Sequence, residues 1–333
     1  MDCHRVYKPT VSVIVPVLNA RDTIVDLLDS LMRVDYDRDK LEIVIVDGGS
    51  TDGTQDLIRS YPVRMIVERR RGLNLARNTG LKNSSGEIVL FTDSDCVVSE
   101  DWVKKIVRNF MDSNVGCVGG TVLRYDDSLL SRYADESVMP VLRRFRKRKV
   151  LENVMPPLDY PAGCNMAFRR EVFDKAGEFN EEIHYGFDED ELVERVCNAG
   201  YKMVLDPEVV VMHKHRGSLK GLLKQTFSYG RGGTLLLRKV GFKSRFARWN
   251  TAFLAAFLIW LLLCISSALL LFFHQVLILP LLLPSVLPLP SLTAYYAWKL
   301  SGRRILEAPL FACLDMLRLF AYCSGEIIGL IKG

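Results

Sequence analysis

Short runs of β-branched and aliphatic residues punctuate the first hundred positions, and between them apolar residues recur every three or four. Val11 to Val15, Leu41 to Val46, Arg64 to Glu68 and Glu87 to Phe91 predict four strands, the first closed by Pro16 ahead of a turn at Asn19. Ile24, Leu27, Leu28 and Leu31 share one face of a helix through Met32, with Asp22 or Thr23 as its cap. Asp52 or Thr54 opens a second helix through Ser60, and Gly72 to Gly80 reads as a third with a glycine stop. Four alternations of strand and helix are the pattern of a doubly wound parallel sheet. Beyond them the pattern predicts a helix from Ser99 to Phe110, a strand from Val115 to Val122 and a β-rich run from Tyr201 to Met212.

Near residue 250 the pattern changes. From Asn250 to Trp298 there is no Asp, Glu, Lys or Arg, a run that suits a membrane better than a globular core. The expectation is a soluble α/β domain over 1–240 and a membrane domain over 241–333, with spans at about 251–273, 276–298 and 305–331. The second span is broken by Pro280, Pro284, Pro288 and Pro290. The third carries Asp315, Arg318 and Glu326, so it is either a packed span or a helix lying in the interface. Arg238, Lys239, Lys243, Arg245 and Arg248 precede the first span, and Lys299, Arg303 and Arg304 follow the second. That bias predicts a multi-pass cell-membrane protein with its soluble domain in the cytoplasm.

Composition adds exclusions. A net charge of +5, with no basic arm or aromatic-basic pattern, gives no reason to expect a nucleic-acid partner. Met1 to Thr10 is short and polar, unlike a signal peptide. Eight cysteines with no C-x-x-C spacing argue against a zinc site or a disulfide framework, and for a reducing compartment. Val141 to Lys149 sets six basic residues among Val, Leu and Phe, which is either a solvated helix face or a contact with anionic lipid.

The chemistry centres on Thr92-Asp93-Ser94-Asp95, directly after the fourth strand. Ligands bind outside the carboxyl ends of strands in open α/β sheets. Two carboxylates there, one small residue apart, can share a hard cation such as Mg²⁺ or Mn²⁺. The plainer alternative is a pair of loop acids ahead of a helix. The glycines of Asp47-Gly48-Gly49-Ser50 let backbone approach a ligand after the second strand.

Val13-Ile14-Val15-Pro16-x-x-Asn19, Val46 to Thr54, Ala76-Arg77-Asn78-x-Gly80 and Thr92 to Asp95 together resemble the ordered motif set of the family 2 glycosyltransferases, over roughly residues 9 to 235. These are inverting enzymes of the GT-A fold, so the resemblance implies a Rossmann-like sheet and a UDP- or GDP-sugar donor. It implies donor contacts from the motif residues Pro16, Asn19 and Ser94, and base recognition by Asp47 and, less directly, Asp52. Asp93 and Asp95 would serve the ribose and the metal. Arg77 is either a phosphate partner or an ion-paired helix residue. Gly163-Cys164-Asn165-Met166-Ala167-Phe168-Arg169 matches a segment lining the sugar cleft, which places Asn165 there.

The resemblance also implies a base among Asp188-Glu189-Asp190-Glu191, ahead of Leu192-x-x-Arg195. Taking Glu189-Asp190 as the family's acid pair makes Asp190 the base, which is the reading preferred. Counting back from Leu192 makes it Glu189. His213 and His215 face one side of a strand end, and His213 is either a metal or diphosphate ligand or a solvated rim residue. Gln225 to Gly232 lacks the Arg-Trp of processive synthases. The expected function is metal-dependent transfer of a sugar from a nucleoside diphosphate to a hydroxyl, on a lipid-linked saccharide. The alternatives are transfer straight to polyprenyl phosphate, which needs no base, and a non-catalytic nucleotide-sugar-binding subunit on the membrane.

Overall fold

The structure, a computed structural model, describes residues 7–139, 143–215, 217–274, 287–300 and 302–332. It divides into two compact units. The first comprises Met1–Asp135, Pro140–Gly217 and Ser244–Phe246; the second comprises Glu136–Met139, Ser218–Lys243 and Ala247–Gly333.

Nine strands form one sheet in the first unit: β1 Val11–Val17, β2 Leu41–Asp47, β3 Arg64–Val67, β4 Ile88–Phe91, β5 Cys96–Val98, β6 Val115–Arg124, β7 Lys149–Leu151, β8 Met166–Arg169 and β9 Lys202–His213. They run in the order β3-β2-β1-β4-β8-β6-β9-β5, with β7 also paired to β9. The helices are α1 Ile24–Met32, α2 Thr54–Arg59, α3 Leu73–Lys82, α4 Trp102–Val107, α5 Leu129–Glu136, α6 Val172–Ala176 and α7 Asp188–Asn198.

The expected parallel winding holds for β3, β2, β1 and β4. It then stops, because β8 runs antiparallel to both β4 and β6. The sheet is therefore mixed.

Two local expectations also change. Pro16 does not end β1 but lies inside it, opposite Val46. Ile14 accepts from Thr92 N on the β4 side, so the N–H that Pro16 lacks would point the same way, past the end of β4. Gly80 is not a helix stop but an interior position of α3, where an added Cβ would run into the Ile14 side chain.

The second unit contains α8 Leu219–Val240, most of α9 Arg245–His274, α10 Pro288–Lys299 and α11 Ala308–Lys332. Among the described residues one helix, Arg245–Leu269, is long and apolar enough to cross a membrane. Of the expected second span, 276–286 lies outside the described residues, and α10 supplies 12 residues. The third stretch, α11, buries Asp315, Arg318 and Glu326. Arg318 donates to Ser137 Oγ at 2.8 Å and to Met139 O at 2.7 Å, and Ser137 Oγ donates to Asp315 at 2.6 Å. Gly230 on α8 and Gly325 on α11 each face a carbonyl of the other helix too closely for any side chain.

Candidate active site

The acidic loop leaves β4 at Phe91 and runs into β5, a short strand that the sequence pattern had assigned to the approach of a helix. Strand β5 pairs antiparallel with β9 and sets Cys96 opposite His213. Helix α4 consequently starts at Trp102 rather than Ser99. Lys214 N donates to Asp95 O at 2.8 Å, which ties the loop to the end of β9. The result is a cluster in which a ligand atom from each of Asp93, Asp95 and His213 lies within 4.8 Å of the others. His213 Nε2 is 3.3 Å from Asp95 Oδ1. Asp93 Oδ1 is buried with no hydrogen-bond partner, and burial raises the Asp93 pKa against the opposing pull of Arg77. A hard oxygen donor without a partner beside a second carboxylate and an imidazole fits a divalent cation. Ser94 sits half-buried at the turn between the two acids.

Arg77, on α3, lies 2 % exposed behind this loop. Its guanidinium pairs with Asp188 at the start of α7 and comes within 4.0 Å of Asp93 Oδ1. It also lies over the Phe179 ring, 5.2 Å from the centroid. One buried cation therefore joins the acidic loop to the acidic helix.

The four acids in the first turn of α7 separate into distinct environments. Asp188 is held by Arg77, and Glu191 accepts from Arg195 Nε at 2.7 Å and Nη2 at 2.8 Å. Asp190 is buried and its Oδ1 has no partner; burial, reinforced by Glu189, raises its pKa well above the usual range, with Arg143 opposing. Glu189 remains half-buried. Its pKa is pushed up to about 8, first by burial and then by the charge of Asp188, with Arg77 opposing. A Cβ on Gly163 would lie 2.6 Å from Arg77 Nη2 and 3.3 Å from the Glu189 carboxylate. Glu189 and Arg77 thus both pack against Gly163, where any side chain would run into them.

At the end of β2, Asp47 is fully buried. Its Oδ1 accepts from Gly49 N at 3.0 Å, Ser50 N at 2.9 Å and Gln55 Nε2 at 2.8 Å, while Oδ2 has no partner. Asn19 adopts φ 51°, accepts from Thr51 N at 2.9 Å and donates its own N–H to Ser50 Oγ at 2.8 Å, locking the β1 and β2 loops together. Pro16 is buried in β1.

Two expected donor contacts have other partners. Asp52 has both oxygens engaged, Oδ2 by Arg21 N at 3.1 Å and Oδ1 by the N–H and hydroxyl of Thr54. Asn165 is fully buried rather than turned to a sugar. It donates to Thr121 O at 2.9 Å and Val209 O at 3.0 Å and accepts from Trp102 Nε1 at 3.0 Å. The basic stretch is no helix over its described residues 143–148. Arg143 stacks on Tyr160 at 3.7 Å and Arg148 bonds Asn109 at 3.0 Å.

The family model for glycosyl transferase family 2 matches residues 12–177. Glycosyltransferase AglE of Haloferax volcanii is 30% identical over 233 residues, 67% of this chain and 73% of that protein. The chain belongs to the family 2 glycosyltransferases. A Methanococcus voltae dolichyl N-acetyl-alpha-D-glucosaminyl phosphate 3-beta-D-2,3-diacetamido-2,3-dideoxy-beta-D-glucuronosyltransferase is 23% identical, with 97% of this chain and 98% of that protein covered. Among solved structures, mannosyltransferase PcManGT from Pyrobaculum calidifontis, in complex with GDP-Man and Mn²⁺, is similar at 25% identity and a TM-score of 0.64. That match covers 95% of this chain and 88% of the other. The mixed sheet is GT-A-like.

Several residues that shape this glycosyltransferase's site gave little signal in the sequence. Glu194, on α7, accepts from Ser244 Oγ at 2.7 Å and Arg245 N at 2.8 Å. Phe246 packs edge-on against Tyr160, with centroids 4.8 Å apart, and against Phe187 at 6.3 Å. Residues 244–246 are thus part of the first unit, although they immediately precede the apolar run. Phe187 itself holds a positive φ of 67° at the N-cap of α7, a position no residue-type pattern marks.

Proposed function

We propose that the protein is a membrane-attached, metal-dependent inverting glycosyltransferase that moves a sugar from a UDP- or GDP-sugar to a hydroxyl of a lipid-linked saccharide. The observation that carries this reading is Arg77, which spans from the acidic loop to α7 and so draws a cation site and a carboxylate of raised pKa together. Asp95, Asp93 and His213 would hold Mg²⁺ or Mn²⁺. That ion, when bound, neutralises charge on the departing diphosphate.

Asp47 offers its unpartnered Oδ2 to an N–H of the base, since an ionised carboxylate accepts and does not donate. Asn19 and Asp52 act one step back, holding the loops that present Asp47. Arg77 is spent on carboxylates and orients them, so it is a positioning residue rather than a phosphate ligand. Glu189 is proposed as the base in place of Asp190, because it is half-buried beside Gly163 and Arg77 while Asp190 is buried. A base of raised pKa suits a hydroxyl acceptor, whose proton must be removed. A phosphate acceptor is already ionised. GDP-Man and Mn²⁺ in PcManGT, and the lipid-linked chemistry in the name of the M. voltae relative, support the donor class and the acceptor class. The apolar helix Arg245–Leu269 supports membrane attachment.

The test is a thermal-shift and donor-hydrolysis screen of nucleotide sugars with Mn²⁺ on the full chain. At 100 times Kd a bound donor adds about 2.7 kcal/mol of stability. The reading expects one donor to stabilise the protein in a Mn²⁺-dependent way that Asp95→Ala abolishes, and transfer to a saccharide hydroxyl that Glu189→Gln abolishes. Transfer to bare polyprenyl phosphate with no activity on hydroxyls would overturn it.

A further inference from the structure

Behind the acidic loop lies a second set of metal-ligating atoms. Cys96, on β5, and Cys164, in the loop before β8, are both buried, and each offers a sulfur that lies, with a nitrogen of His213, inside a sphere where no two of the three atoms are more than 4.8 Å apart. Cys96 and Cys164 lie 68 positions apart in sequence, so no C-x-x-C spacing announces them. They meet because β5 is pulled onto β9 while β8 returns beside β4. Asp95 Oδ1 lies 3.9 Å from Cys96 Sγ and 3.3 Å from His213 Nε2, which puts a fourth donor at the edge of the set.

We propose that Cys96, Cys164 and His213 form a site for a thiophilic divalent ion, of the Zn²⁺ or Cd²⁺ class, which competes with the hard-cation site for His213. Two sulfurs and an imidazole are the donor set that such ions prefer, while Mg²⁺ and Mn²⁺ take oxygen. The tetrahedral spacing that zinc asks of its ligands is compatible with separations below 4.8 Å. Binding deprotonates both thiols and releases two protons to solvent, with no change of oxidation state. Without the ion the two thiols are simply buried in the core. With it, His213, and Asp95 where it supplies the fourth donor, are withdrawn from the hard-cation set. The consequence is that a thiophilic ion excludes the hard cation without occupying the donor pocket. The competition rests on the proposed role of Asp93, Asp95 and His213; the binding of the soft ion does not.

The experiment uses the full chain with no donor, no acceptor and no turnover. Cd²⁺ is titrated into metal-free protein while the ultraviolet thiolate-to-metal charge-transfer band is followed. Uptake of Mn²⁺ is read separately from the electron paramagnetic resonance of the free ion. One Cd²⁺ per chain is expected, with a band of two-thiolate intensity. Cys96→Ser and Cys164→Ser should each weaken binding by about a hundredfold or more, since even the outer partners of metal ligands are worth 10- to 100-fold. Should either variant fold poorly, wild-type protein loaded with Co²⁺ gives an independent readout, the intense visible bands of a tetrahedral thiolate site. Bound Cd²⁺ should release Mn²⁺ from wild-type protein in equal amount.

A band that survives both substitutions, coming from other thiols such as Cys117 and Cys197, which lie near each other, would overturn the site. So would octahedral, thiolate-free Co²⁺ spectra. Simultaneous binding of Cd²⁺ and Mn²⁺ would overturn the competition. A chain that takes Cd²⁺ through Cys96 and Cys164 yet never binds Mn²⁺ supports the soft site and refutes the hard-cation reading instead.

Discussion

Replacing Arg77 by Met keeps most of the aliphatic volume of the side chain and deletes the charge that joins the acidic loop to α7. The Arg77 and Asp188 side chains are 2% and 5% exposed. Neither can find water in exchange for its partner. Removing one member of a buried pair leaves the other uncompensated and costs about 3–5 kcal/mol. Against a typical total of about 5–15 kcal/mol that is a large share. In a unit of this size it should lower the melting temperature by roughly 10 °C, taking about 2–4 °C per kcal/mol. The stacking of the guanidinium on Phe179 is lost in the same step. Asp188→Asn, introduced on top of Arg77→Met, removes the orphaned charge, so the double variant should recover about 2 kcal/mol relative to the sum of the single changes. Thermal and urea denaturation of the full chain measure the cycle. An Arg77→Met protein within about 1 kcal/mol of wild type, or a cycle that is strictly additive, would refute the buried bridge.

Three further perturbations follow from the same geometry. Glu189 must be ionised to act as a base, and its pKa is pushed up to about 8, so kcat/KM on a hydroxyl acceptor should climb with pH and level off above that value. Glu189→Gln should cost about 10²-fold or more and abolish the rising limb, whereas Asp190→Asn should leave the limb in place. The same shift acts on stability in the opposite sense. Folded Glu189 holds its proton from its ordinary 4.5 up to about 8, so its contribution favours the fold at low pH and is lost as pH rises through that window, which denaturation at pH 4 and pH 9 would read. Gly163→Ala forces a methyl between Arg77 and Glu189, costing about 1–3 kcal/mol by overpacking and lowering kcat more than it raises KM for donor. Phe246→Ala empties the space between Tyr160 and Phe187 and should destabilise the first unit by about 3–5 kcal/mol, seen as a lowered first melting transition.

Much of the first unit is legible in the sequence because its central parallel strands are buried on both faces and read as largely apolar runs. Val13 to Val17 is one such run, and every residue in it is buried. The acidic loop is legible for a related reason, since two carboxylates directly after such a run have few structural uses. What the pattern misses is set by long-range pairing. Three residues, Cys96 to Val98, are too few to show an alternation, and they become a strand only because β9 lies beside them. Asn165 carries the right residue type for a sugar contact, yet its amide is consumed by carbonyls of β6 and β9 and by Trp102, none of them near it in sequence. The choice between Glu189 and Asp190 is of the same kind. Adjacent acids on a helix look alike in one dimension, and only Arg77, Gly163 and Arg195 give each of the four a separate environment.

Helix α11 raises the converse question, since its composition alone leaves a span and an interfacial helix equally open. Within the second unit its Asp315, Arg318 and Glu326 are buried, while Leu310, Leu317, Phe320, Leu330 and Ile331 are exposed. A helix in water turns its charges outward, because burying an unpaired ion costs several kcal/mol and exposing a leucine forfeits about 1.5–3 kcal/mol. The inverse arrangement is favourable where the surroundings are less polar than the contacts inside. Asp315 and Arg318 are met by Ser137, Met139 O, Tyr296 and Thr226, so these two inward charges are supplied with partners, while Glu326 Oε2 is buried without a hydrogen-bond partner. The leucines outside have no such compensation in water. On this argument the proposed attachment to lipid draws on the second unit as a whole, including Leu262, Trp298 and Leu306 on its surface, and does not hang on the length of α9 alone.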